Sequence, residues 1–241
     1  MSAPGTAADQ MLLEIVSNPK ATTVDEVIDR MNRIDVILAN RDGLKWFNWL
    51  YLLVTRSVKD NPPSSGWQHP EWLTRLDVVF ANLYFAAIES ALTAGTTPKS
   101  WQALFDARRT GDIDRIQFAL AGMNAHINRD LSLALLQANA AFNITPGIPS
   151  PEHDDFEHVN DLLAGVLPQA LHTLATGILG EAIQDTGKVG RLLALWDVRA
   201  ARDLAWDFAA HLRNLEGLAR HFALDAQDQL TGVLGRALLA I

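Results

Sequence analysis

The chain of 241 residues contains no cysteine. Disulfides, thiolate nucleophiles, cysteine-held zinc and iron–sulfur clusters are therefore excluded, and His, Asp and Glu remain as the side chains able to ligate a metal. A run of Lys and Arg is also missing. The net charge is −8 and the pI about 5.3, so no phosphate-backbone surface is on offer and nucleic acid is not an expected partner. No apolar run reaches the roughly 20 residues that span a bilayer. The opening MSAPGTAADQ has no basic segment leading into an apolar one, so the expectation is a cytoplasmic, soluble chain without a membrane span. Strand-period alternation, internal repeats and low-complexity tracts are absent as well.

What is present is apolar and helical in its spacing. Apolar residues make up 49% of the chain, enough for one substantial core. Val24, Val27, Ile28, Met31, Ile34 and Leu38 form an amphipathic stripe behind Thr23, with Glu26 placed as in a capping box. Asp42-Gly43 precedes the aromatic-rich helix of about 43–59, and Pro70 suits the first position of the next, running to about Thr93. Asp112 is expected to cap a long helix ending near Ala141, and Ser150-Pro151 to open another. After Thr186-Gly187-Lys188, residues 192–222 read as one helix, and Asp225 as the cap of a last one. The expected fold is all-α, a single-domain helical bundle of about seven to nine helices with two buried central helices, roughly 70–93 and 112–141. Residues 1–20 read as a loose, flexible N-terminal arm, with at most a short helix around Gln10–Val16, and residues 21–241 as the helical domain.

The chemistry concentrates in Ala121–Leu136, AGMNAHINRDLSLALL. Asn124, His126, Asn128 and Asp130 stand there in a stretch otherwise apolar enough to be buried. On a helix His126 and Asp130 are at i and i+4 on one face, and Asn124 and Asn128 make a second such pair. Buried polar groups need partners, so the cluster implies a hydrogen-bond network, a ligand or a metal. A second polar group, His153 to Asp161, opens a later helix, and its Asp154, His158 and Asp161 share a face.

Where the two groups meet, His126, Asp130, His158 and Asp161 would form a nitrogen and oxygen site for a divalent metal such as zinc, iron or manganese. His126, Asp130 and His158 would then carry catalysis through activated water or oxygen, as a metal-dependent hydrolase or oxygenase. Asn124, Asn128, Asn160, Tyr84, Arg202 and Trp206 would contact a small-molecule substrate. One difficulty stands against this pairing. For antiparallel helices at about 1.5 Å per residue, His126 and His158 are offset along the axis by more than about 10 Å. The alternative is a metal-free binding or cyclisation scaffold with an aromatic-lined apolar pocket, and a third reading is a buried network without a site.

Four segments, Phe47–Thr55, Ala81–Ala86, Met123–Leu131 and Asp155–Asn160, carry FNWLYxxVT, ANxYFxA, MNAHINxDL and DFxxVN. Together they resemble an uncharacterised all-helical bacterial family, which implies a single helical domain and no particular reaction. Ala-His-Ile-Asn-Arg-Asp-Leu is also distantly similar to the His-x-x-x-Asp-x-His helix of zinc-dependent phospholipase C and the single-strand-specific nucleases. Ser132 stands where that motif has its second histidine, so the resemblance implies at most a reduced zinc site.

Overall fold

Most helix boundaries follow a local chemical signal. In the computed structural model, which describes residues 6–17, 19–93, 95–176 and 197–241, Thr6 caps α1 (Ala7–Val16) in a capping box with Asp9. Thr23 accepts the Glu26 N–H at the start of α2 (Val24–Ile37). Asp42 accepts the Leu44 N–H at the start of α3 (Gly43–Asp60), and Pro70 opens α4 (Pro70–Leu92). The Thr and Asp side chains take up amide hydrogens that have no partner in the first turn of a helix, and Pro70 brings no amide hydrogen to satisfy. A short α5 (Lys99–Ala107) leads into α6 (Arg115–Ala125). A π-helical turn (His126–Leu131) and α7 (Ser132–Phe142) continue α6 as one rod. Asn143, in the left-handed region at φ 51°, ends it. Then come α8 (Pro151–Thr176), α9 (Val198–Arg213) and α10 (Gly217–Ala240).

The domain is a single all-α bundle, and the described residues contain no strand. The rod formed by α6, the π turn and α7 is its axis. α3 packs along α6, α4 along α7, and α9 along the π turn and α7. α10 folds back over α5 and α6, where Gly232 and Gly235 let it approach closely. A Cβ at Gly232 would meet the Lys99 carbonyl oxygen at 2.6 Å. α4 and the α6–α7 rod are the two buried central helices expected from their composition.

Three boundaries differ from expectation. Residues 7–16 are a packed helix rather than a loose arm: Leu12, Ile15 and Val16 are buried, and Asp9 pairs with Arg108 and Arg109. The rod is capped by Asp114, in a capping box with Gln117, rather than by Asp112. The single helix read over 192–222 is broken at Asn214–Glu216, where Gly217 takes φ 51°, and the last helix starts there and not at Asp225. The Asp225 carboxylate serves Lys99 and Gln229 instead. The expected turn at Thr186–Lys188 lies outside the described residues.

Candidate functional site

The π turn covers the motif singled out by composition, from His126 to Leu131. Such a turn holds one residue more than an α turn, loosens the ladder of backbone bonds, and frequently marks a functional position. Its loosened carbonyls are taken up by side chains. Gln227 Nε2 donates to the Asn128 carbonyl at 2.6 Å, and Ser132 Oγ to the Arg129 carbonyl at 3.0 Å.

Within the turn, His126 Nδ1 lies 3.2 Å from Asp130 Oδ2, as the i and i+4 spacing predicts. Trp101 Nε1–H donates to the same oxygen at 2.9 Å, and Arg129 Nη1 donates to Oδ1. Asp130 is fully buried. Three donors make that burial tolerable for a carboxylate. A carboxylate only accepts, so the proton on His126 resides at Nδ1 and the lone pair at Nε2. Nε2 is buried and has no hydrogen-bond partner among the described residues. Burial lowers the His126 pKa against the opposing pull of Asp130, so the imidazole is neutral near pH 7 with its acceptor unused.

Five aromatic rings surround the imidazole. Phe80 stacks on it at 3.5 Å between centroids and 4° between planes, and Tyr51 meets it edge-on at 4.6 Å. Phe47, Trp101 and Tyr84 stand at 5.7, 5.9 and 6.1 Å. Phe47 reaches this position because residue 122 is glycine: a Cβ there would meet the Phe47 ring at 2.3 Å. Burial raises the phenol pKa values of Tyr51 and Tyr84, so both stay protonated. Tyr84 OH donates to Asn48 Oδ1 at 3.3 Å.

A cavity of about 40 Å³ opens beside the imidazole, walled mainly by Phe47, Tyr51, Phe80, Met123 and Leu163, with Arg202 as the one cation among its described lining residues. Arg202 is itself buried. It donates to Asn160 Oδ1 and, at 3.4 Å, to the Phe156 carbonyl, and its guanidinium lies 4.2 Å from the centre of the Phe156 ring. It has no carboxylate within ion-pair distance among the described residues. Burial brings its pKa down to about 10, against the attraction of Asp77, so it remains a cation.

The residues expected to share a site divide. His126, Asp130, Tyr84 and Arg202 converge on the imidazole and its cavity, and Asn160 supports Arg202 from behind. Asn124 and Asn128 bond to each other at 2.9 Å, and Asn124 Nδ2 donates to the Thr231 carbonyl. They fasten α10 to the rod and do not line the cavity. His158 packs edge-on against Trp67 at 5.3 Å, and Asp161 is exposed and paired with Arg199. The expected four-residue metal set is therefore not assembled. Residues 158 and 160 lie about 200° apart around a helix, so turning Asn160 inward turns His158 away. Among the described residues no group of three or more His, Asp or Glu is placed to hold a metal ion. Trp206 meets Trp72 and His153 edge-on, lies tilted against Phe156, and walls a different cleft.

Phe47, Tyr51, Phe80 and Trp101 belong to the site although their sequence setting reads as ordinary core. The available signal was the placing of Phe47 and Tyr51 at i and i+4 within one aromatic-rich segment, which sets both rings on one face.

Residues 24–241 match DUF5995, described as a family of unknown function. No curated protein and no solved structure matches the chain.

Proposed function

Because the chain belongs to DUF5995, a family of unknown function, we propose from the geometry of the site alone that the protein binds a small organic anion beside His126. In this reading His126 Nε2 accepts a hydrogen bond from the ligand, or its proton as general base, while Asp130 holds the tautomer and Arg202 faces the negative end. The observation that carries the reading is the buried Nε2 lone pair without a partner, in a ring whose other nitrogen is held by a carboxylate. An Asp–His pair of this kind orients an imidazole for proton transfer. A second support is Arg202, a buried cation on the same cavity that lacks a carboxylate partner.

A divalent metal is the less favoured reading. The Asp130 oxygens already accept from Trp101, His126 and Arg129, which leaves His126 Nε2 as the one free donor atom of the His126–Asp130 pair among the described residues. A cavity of about 40 Å³ admits the reacting end of a ligand, since one water needs only about 10–15 Å³. A longer body enters by displacing Met123, whose unbranched side chain repacks readily.

The test is NMR of protein carrying ¹⁵N-labelled histidine. Free protein is expected to show His126 as the Nδ1–H tautomer. Titration with glycolate, lactate and mandelate, each bearing a hydroxyl donor and a carboxylate, is expected to move the His126 Nε2 resonance, and Arg202→Gln to weaken that response. An Nε2–H tautomer in the free protein, or an Nε2 resonance that none of the three acids moves, overturns the reading.

A further inference from the structure

We propose a second binding site, for an amphipathic carboxylate such as a medium-chain fatty acid, in the cleft between α7, the loop after it, α9 and the start of α10. The cleft has a volume of about 230 Å³, more than five times that of the cavity beside His126. Its walls are apolar: Leu136 and Ala140 from α7, Ile144 from the loop, and Trp206 and Ala210 from α9. Two cations, Arg213 and Arg220, complete the lining. They come from the last turn of α9 and the first turn of α10, on either side of the break at Asn214–Glu216.

Neither arginine has an ion pair or a side-chain hydrogen bond among the described residues. Glu216, on the connecting turn, pairs with neither. In a chain of net charge −8, other arginines hold acids: Arg199 holds Glu157 and Asp161, and Arg129 holds Asp130 and Asp228. Two unneutralised guanidinium groups at one apolar cleft define the complementary ligand. Its chain lies against Leu136, Ile144 and the Trp206 face, and its carboxylate meets the two arginines, which suit the fork geometry of that group. A neutral amphiphile would leave the cations unused. Asn139 Oδ1 accepts from the Trp72 indole N–H at 2.8 Å, which leaves its amide N–H groups to donate beside Arg213 and Arg220, and the two arginines supply the charge.

Octanoate is the probe, followed by titration calorimetry and by the Trp206 indole N–H resonance, which Trp206→Phe identifies. Octanoate is expected to bind and to shift that resonance. The double variant Arg213→Gln/Arg220→Gln is expected to weaken binding by about tenfold or more, as loss of charge-assisted bonds implies, and Ala210→Leu to weaken it by filling the cleft. Arg213 is exposed and Arg220 half-buried, so the double variant should keep the wild-type melting temperature. 1-Octanol should bind less tightly than octanoate and be indifferent to the arginine changes. His126→Phe leaves the octanoate response intact, which separates this site from the one beside the imidazole. Absence of binding at millimolar octanoate, equal binding to the double variant, or a response at His126 in place of Trp206 overturns the proposal.

Discussion

Two segments of similar composition have opposite roles. Residues 124–130 and 152–161 are each rich in His, Asp and Asn on a helix. In the first, Asp130, Asn124 and His126 are buried in the rod, and every side-chain polar atom that is buried there has a partner except His126 Nε2. In the second, the acids act as fasteners. Asp155 accepts the Gln68 and His69 N–H groups at 2.8 and 2.7 Å, Glu152 meets His69 Nδ1 at 2.6 Å, and Asp154 accepts from Gln68 Nε2 at 2.9 Å. Together they pin the loop before α4 to the first turns of α8. Glu157 and Asp161 hold Arg199 at the surface. The chemical potential of a polar cluster thus lies in what its bonding leaves unused, and only the first cluster leaves anything in a dry place. The two meet at a single residue, Arg202, which Asn160 supports and the His126 cavity exposes.

The largest expected effect comes from removing the acceptor that the first cluster shares. Asp130→Ala strands the Trp101 indole N–H, the His126 Nδ1–H and the Arg129 guanidinium, and should cost about 3–5 kcal/mol, the range for breaking a buried charge pair. Urea unfolding measures it. Asp155→Ala removes two hydrogen bonds to backbone amides at the entry to α4 and should cost about 1–2 kcal/mol. Asp161→Ala, in an exposed pair, should change stability by less than about 0.5 kcal/mol. A cost for Asp155→Ala equal to that for Asp130→Ala would erase the distinction between core and fastener.

The parts of this arrangement that were legible in sequence are those set by neighbours along the chain. Thr23, Asp42 and Pro70 announce helix starts because a cap acts within one turn, and His126 with Asp130 stands out because polar residues at i and i+4 in an apolar run must find each other. The π turn was not legible. It depends on Gln227, 99 residues downstream, taking a carbonyl that an α turn would have kept. The aromatic cage was hidden for a similar reason: Phe80 and Trp101 look like any buried aromatics until α4 and α5 are docked on the rod. His158 and Asp161 misled because shared helical spacing says which residues lie together, not which face turns inward. Asp225 misled because an Asp within an apolar stretch can equally serve a distant partner, here Lys99, and Asp112 because Asp114, two residues on, takes the cap in its place.

Asp77 on α4 tests the junction between the two clusters, with an effect that shows only as a function of pH. It is half-buried and lines an outer cleft with Trp67, Leu73 and Thr74. It interacts electrostatically with Arg202 and Tyr51, both of which wall the His126 cavity. Burial raises its pKa from 3.8 to about 7, with Arg202 opposing. The folded state therefore holds a proton that the unfolded state has released between pH 4 and pH 7. The stability this proton contributes is complete below pH 4 and is lost as pH rises through about 7. Asp77→Asn keeps the shape and stays neutral. Its melting temperature should match that of wild type near pH 4, exceed it progressively to pH 7, and run parallel above that. The gap should be no more than about 1 kcal/mol, because water in the outer cleft screens the charge. His126 works with the opposite sign, since its pKa is lowered: its contribution is present above pH 6.5 and is lost as pH falls. Wild type should therefore show a shallower pH dependence between 4 and 7 than Asp77→Asn, in which the His126 loss stands alone. A variant whose curve stays parallel to wild type across the whole range would mean that Asp77 is already solvated and that Arg202 faces the cavity without a counterion.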